Sequence, residues 1–215
     1  TFLLLITFGM IGCGKNQVLK KENVNETNQE QATENKETTE EQQENTNNNT
    51  EEQSQSQIDY INIAPEEVKI PILMYHSISD EDPSNNLLVP PAMFEEQMAW
   101  LEANNFTAMN MDEALEAMRT GKVPKRPVVI TFDDGYANNY TSAFPSLKNH
   151  KLKATFFVIT DGVDNGYYMS SDNLKEMQEA GMSIENHTAN HLELNNLSKT
   201  DAYESIKRAQ DYLRN

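Results

Sequence analysis

The sequence predicts an α/β fold built on a parallel sheet, and three observations carry that prediction. Short apolar runs of the kind buried in parallel sheets recur at residues 69–75, 106–109, 127–132, 154–159 and 182–185. Each run is followed by a segment whose apolar residues are spaced as one helical face, so strand and helix alternate five times. The polar residues of greatest chemical interest stand just past strand ends, where parallel α/β folds place their sites.

In chain order, residues 1–12 (TFLLLITFGMIG) are apolar and lead into Cys13. A dozen apolar residues fall short of the roughly 20 that span a bilayer, and match the apolar part of a secretory signal. Met10-Ile11-Gly12-Cys13 resembles a bacterial lipobox, in which the cysteine is lipidated. We therefore expect residues 1–13 to be a signal and lipobox remnant, with lipidation at Cys13. The protein would then be extracytoplasmic and anchored to the bacterial cell membrane through lipid alone; a plain signal peptide would instead leave it secreted. Residues 14–57 are Asn, Gln, Glu, Thr and Ser with scattered Lys, and contain no aromatic residue and no proline. Such a stretch buries too little apolar surface to offset the entropy of ordering, and is expected to be a disordered tether reaching about 35–40 Å.

The folded domain is expected over 58–215. After the strand 69–75 come His76 and Ser77. Phe94, Met98 and Leu101 mark the first helix, with Pro90 and Pro91 at its start. Residues 106–109 form a strand, and Asn110 with Glu113 reads as a capping box for a helix that points Leu115 and Met118 inward. Gly121 and Pro124 close that helix. Tyr140, Phe144 and Leu147 mark a helix that Pro145 kinks or divides. After 154–159, Ser171 caps a helix carrying Leu174 and Met177, ended by Gly181. After 182–185 comes a last helix that begins at Ser198 and Asp201, with Ala202, Ile206, Ala209 and Leu213 on its face.

The 215 residues carry a net charge of −17, which argues against nucleic acid as a partner, because phosphate binding needs clustered Lys and Arg. The single cysteine allows no intrachain disulfide and no cysteine-based metal cluster.

The run 127–132 ends in Asp133-Asp134-Gly135. Adjacent carboxylates at a strand end repel one another unless a cation or proton offsets the charge, although Asp-Gly is also a common turn dipeptide. The second signal is His187-x-x-x-His191 after the fifth strand. Two imidazoles four apart share one face of a helical turn, and with Asp134 would make an open nitrogen–nitrogen–oxygen ligand set for Zn²⁺ or another divalent transition metal.

Thr131-Phe132-Asp133-Asp134-Gly135 followed by His187-Thr188-Ala189-Asn190-His191 resembles the first two motifs of the polysaccharide deacetylases, carbohydrate esterase family 4 with its NodB-homology domain. Ile72-Leu73-Met74-Tyr75-His76-Ser77 is similar to the first strand of members acting on bacterial surface polysaccharide and cell wall. The resemblance covers residues 68–215 and implies a distorted (β/α)₇ barrel, here incomplete with about five βα units. It implies that Asp134, His187 and His191 hold a divalent metal (Zn²⁺, with Co²⁺ or Ni²⁺ as alternatives), that Asp133 is the general base, and that His76 lines the substrate cleft. Thr188 would support the loop between the ligands.

The function so implied is hydrolytic N-deacetylation of an acetylated glycan, with release of acetate: an N-acetylglucosamine-containing cell-surface polysaccharide, either peptidoglycan or a poly-N-acetylglucosamine or chitin-like polymer. That makes the protein a hydrolase of non-peptide carbon–nitrogen bonds. Alternatives are a non-catalytic carbohydrate-binding lipoprotein of the same fold, or an esterase of O-acetyl groups as on xylan. Glu185 departs from the family pattern, standing where a small residue is usual, and either crowds the site or points away. The family's later motifs are not in the 215 residues, so this stretch alone is expected to fold poorly and to turn over little.

Overall fold

The computed structural model describes residues 58–214. The expected signal segment with Cys13, and the expected tether over 14–57, lie outside the described residues. In order the elements are β1 (Tyr60–Asn62), β2 (Ile72–Tyr75), α1 (Pro91–Ala103), β3 (Thr107–Met109), α2 (Met111–Thr120), β4 (Lys122–Pro124), β5 (Pro127–Phe132), α3 (Phe144–Asn149), β6 (Thr155–Val158), α4 (Ser171–Glu179), β7 (Ser183–Asn186) and α5 (Lys199–Leu213).

β5 is the hub of a five-stranded parallel sheet. β2 runs along one edge, pairing Ile72 with Val129 and Tyr75 with Phe132. β3 pairs with the start of β5, up to Met109 opposite Val129, and β6 pairs with its end at Thr131 and Phe132. Val129 and Thr131 each have partners in β2 as well, so β3 and β6 share the opposite edge, one after the other. β7 extends the sheet beyond β6. These are the five expected strand–helix units, arranged as an open sheet. Because all five strands are parallel, Tyr75, Phe132, Val158 and Asn186 end on one rim, and the candidate residues follow from it.

β5 is buried on both faces, as its continuous apolar run predicts. Val128, Ile130 and Phe132 pack with Phe94, Met98 and Leu101 of α1, Leu147 of α3, and Leu174 and Met177 of α4. Val129 joins a smaller cluster with Val68, Met109, Ala114, Ala117 and Val123. β2 differs: Tyr75 is buried, whereas Ile72 and Met74 are 55% and 64% exposed. Leu73 and Tyr75 point towards the helices, and among the described residues nothing covers the alternate positions.

Several local expectations need correction. The inward face of α2 is Ala114 and Ala117, while Leu115 and Met118 are half exposed. Two small side chains let the helix lie close against β4 and the turn at Pro65–Glu67. Glu113 accepts a hydrogen bond from the Asn110 N–H at 2.9 Å, so the start of α2 is as expected. Lys122–Pro124 is not a helix end but a strand, β4, paired antiparallel with β1. Three-residue strands carry too little alternation to be read from sequence. Ser170 rather than Ser171 caps α4, its hydroxyl accepting from Asn173 N–H at 3.2 Å. Ser205 and Ala209 are the buried positions of α5, and Ile206 is exposed. Pro145 does divide its helix: a π-helical turn over Asn139–Ala143 precedes α3, and the proline sits in the first turn of α3, where its missing N–H is not needed.

α1 and the end of α3 are joined by His150, which is buried. Its Nδ1 lies 2.7 Å from Glu102 and its Nε2 lies 2.8 Å from Glu95, whose other oxygen accepts from the Ser146 hydroxyl at 2.5 Å.

Candidate active site

The rim is rigid where β5 ends. Phe132 stacks on Phe156 at 4.6 Å between centroids and on Tyr75 at 5.3 Å, which locks β2, β5 and β6 together. The Asp133 N–H donates to Tyr75 O at 2.9 Å as the last rung of the ladder. The backbone then turns sharply, with Asp134 at φ 72° and Gly135 at φ 85°. A left-handed aspartate is tolerated but strained, at a cost of about 1–3 kcal/mol, and such strain gathers at functional sites. The turn is held by Ile159 N–H to Asp134 O at 3.2 Å and Met169 N–H to Gly135 O at 2.9 Å. A Cβ at position 135 would also meet Val158 at 3.1 Å, so glycine suits the turn twice over.

The turn sends the two carboxylates apart. Asp133 stays beside β2, with its carboxylate 3.8 Å from His76 Nε2. Asp134 is buried and faces the end of β7. Its Oδ1 lies 3.4 Å from His187 Nε2 and 3.5 Å from His191 Nε2. The three ligand-type atoms fall within 4.8 Å of one another. Asp134 Oδ1 is buried without a hydrogen-bond partner among the described residues. A buried anionic oxygen with no donor is costly, and this one faces two imidazole nitrogens across a gap of the size that a cation bridges. The residues present thus fit a divalent metal. Burial holds the His187 imidazole below its usual range, against the pull of the Asp133 and Asp134 carboxylates. The neutral ring is the form that ligates a metal.

The histidines converge by a route the spacing does not foretell. Residues 187–191 are a loop, not a helical turn, and Thr188 and His191 are both left-handed, at φ 65° and 53°. A β-branched residue in that region needs support. Asn186 Oδ1 accepts from Thr188 N–H at 2.7 Å, and Thr188 Oγ1 accepts from His191 N–H at 3.0 Å. Thr188 therefore holds the loop, as expected of it. α5 supplies the rest: Ala189 N–H donates to Ser205 O at 3.1 Å, Ser205 Oγ to Asn190 Oδ1 at 2.8 Å, and Asn186 Nδ2 to Ile206 O at 2.9 Å.

Each predicted site residue of the described part is on this rim: Asp133, Asp134, His187 and His191 together, with His76 against Asp133. Glu185 lies in β7 on the same side as His187, but its carboxylate accepts from the Ser183 hydroxyl at 2.6 Å and is drawn back along the strand. It does not join the ligand group. Residues not foreseen include Asn139, whose amide donates to His76 O at 2.7 Å, and Ser205. Tyr136, Tyr167 and Tyr168 form a cluster of rings next to Asp134. The phenols of Tyr136 and Tyr168 are pushed up, by burial first and then by the Asp134 carboxylate, and remain protonated beside it.

The family model for polysaccharide deacetylase matches residues 120–215. The chain is 44% identical over 131 residues to YxkH of Bacillus subtilis (strain 168), covering 60% of this chain and 46% of that protein. It is 35% identical over 131 residues to the poly-β-1,6-N-acetyl-D-glucosamine N-deacetylase of Staphylococcus aureus (strain MSSA476), covering 58% and 44%. Among solved structures, the Streptococcus pyogenes deacetylase PplD in complex with acetate superposes with a TM-score of 0.65 at 35% identity, over 68% of each chain. The chain spans a little under half the length of the two curated relatives.

Proposed function

Because the chain belongs to the polysaccharide deacetylase family, we propose that it hydrolyses the N-acetyl groups of an N-acetylglucosamine-containing cell-surface polysaccharide and releases acetate. The observation that carries this reading is the split between the two aspartates. One turn gives Asp134 a buried, unpartnered oxygen aimed at two imidazoles, and leaves Asp133 outside that group.

Asp134, His187 and His191 would hold a divalent cation, Zn²⁺ by the softness of the imidazole donors, with Co²⁺ and Ni²⁺ also suited. Bound there, the ion supplies Lewis acidity, polarising the acetamide carbonyl and acidifying water. Asp133 takes the proton from the attacking water as general base. His76, whose Nε2 lies 3.8 Å from that carboxylate, would line the cleft beside it. The stacked rings of Tyr75, Phe132 and Phe156 fix the rim, so that the base does not drift relative to the ligands.

The reading also carries a location. Lipidation at Cys13, followed by the polar stretch 14–57, would tether the domain at the outer face of the bacterial membrane near cell-wall glycan.

The test uses the full-length protein, stripped with chelator and reloaded with zinc, and measures acetate released from a chitooligosaccharide, a β-1,6-linked N-acetylglucosamine oligomer and peptidoglycan. Activity lost on stripping and restored by zinc on at least one substrate is expected. Acetate release that survives stripping, or none from any of the three, would refute the proposal.

A further inference from the structure

Resting on that deacetylase reading, we propose that Tyr167, braced by Tyr136 and Tyr168, is a stacking platform for a pyranose ring of the glycan next to the residue held at the candidate site. The three rings form one unit. Tyr136 and Tyr168 stack at 5.4 Å with planes 11° apart, and Tyr167 stands edge-on to both, at 5.4 and 5.2 Å. The unit is built onto the turn that carries Asp134. Tyr136 and Tyr168 form an antiparallel bridge, Ala137 N–H donates to Tyr167 O at 3.0 Å, and Met169 N–H donates to Gly135 O at 2.9 Å. Tyr136 follows Asp134 by two residues, so the platform adjoins the metal-type ligands.

Its parts have different reasons to exist. Tyr168 packs onto Gly162 so closely that a Cβ there would lie 2.5 Å from the ring, and Tyr136 lies flat against Tyr168. Those two rings form the base of the unit, whereas Tyr167 is 66% exposed. Its backbone is held, since Asn165 Oδ1 accepts from the N–H groups of both Tyr167 and Tyr168, at 2.9 and 3.1 Å, and its ring is braced edge-on by the other two. A braced ring with most of its surface facing water contributes little to the core.

Such a ring suits a sugar. The C–H face of a pyranose is apolar enough to lie on a π face, while the hydroxyls at its rim keep their water or bond to the phenol. A ring already held in one orientation loses little entropy when the ligand arrives. Continuity with the Asp134 turn selects a glycan unit flanking the acetylated one.

Isothermal titration of the full-length, zinc-loaded chain tests this, with N-acetylglucosamine pentamers linked β-1,4 and β-1,6 as probes. Asp133→Asn in the background keeps turnover from consuming them. Tyr167→Ala is expected to weaken binding of at least one pentamer about tenfold, with Tyr167→Phe restoring it and zinc affinity unchanged in both. Equal binding by Tyr167→Ala and its background, no binding of either pentamer by the background, or failure of Tyr167→Phe to restore binding would each overturn the platform. Tyr167-dependent binding without acetate release from the wild type would remove the deacetylase reading and leave the platform standing. Acetate release with binding indifferent to Tyr167 would do the reverse.

Discussion

Two histidine–carboxylate clusters sit in this domain, and they are put together in opposite ways. At His150 one imidazole meets two carboxylates, each ring nitrogen within 2.8 Å of its own glutamate oxygen. At the rim, two imidazoles face one carboxylate oxygen at 3.4 and 3.5 Å, and that oxygen is buried with no donor. The first cluster is saturated. The second has unmet donor capacity directed at one point, which is what a cation requires. Electrostatics follow the same division: the hydrogen bonds to Glu102 and Glu95 hold the His150 imidazole above its usual range, whereas burial holds His187 below it. Residue type alone would not separate a structural clamp from a metal site; the count of partners per polar atom does.

Substitutions at the two clusters should therefore have unlike consequences. The largest effect is expected from Asp134→Ala, which removes the shared oxygen. Zinc stoichiometry measured by elemental analysis should fall towards zero, and acetate release should drop by about a thousandfold or more, while the melting temperature holds or rises as a buried charge is removed. A variant that keeps one zinc per chain would erase the distinction between the clusters. Ser205→Ala comes next, because it frees Asn190 between the two histidines without touching a ligand. Zinc affinity by competition with a chelating dye should weaken about 10–100-fold, and a preserved affinity would mean that Thr188 and the bonds to the α5 carbonyl groups hold the loop without the Ser205 hydroxyl.

His150→Gln should leave zinc binding intact and lower stability by about 1–3 kcal/mol in urea titration, since two glutamates lose a donor. The pH dependence of that loss gives a sharper test. His150 is raised in the folded state, so its stabilisation is fully present below the ordinary histidine value of 6.5 and fades as pH rises through the elevated folded value. Glu95 is lowered, first by the Ser146 hydroxyl and then by His150, so its share is present above the ordinary value of 4.5 and fades as acid protonates it. The difference between wild type and His150→Gln should thus be greatest between those limits and shrink on the alkaline side. A difference that grows with alkaline pH would contradict a charged clamp.

Much of this was legible in the residues themselves. β5 and β6 announce themselves because strands buried on both faces must be continuously apolar. Asp133, Asp134, His187 and His191 stand out because strand ends are where such residues have work to do. What stayed hidden depends on partners far along the chain. The helical turn expected for His187 and His191 is a left-handed loop, and its shape is dictated by Thr188, Asn186 and the carbonyl groups of α5. Asn139 reaches His76 across 63 positions, and no local pattern signals such a bond. The inward face of α2 is hidden in the sequence because Leu115 and Met118 outrank alanine in hydrophobicity, whereas the buried positions are Ala114 and Ala117. No local pattern marks Tyr167, because Tyr136, one of the two rings it meets edge-on, comes from a distant part of the chain.

The central claim is that one turn assigns two neighbouring aspartates to different tasks, and Asp133→Asn in the full-length, zinc-loaded protein tests it most directly. Zinc content and acetate release are measured on the same preparation. We predict one zinc per chain, as in wild type, with turnover reduced about 10²–10⁴-fold, the range of a lost general base. Undiminished turnover, or loss of the metal together with the activity, would contradict the division of labour between Asp133 and Asp134.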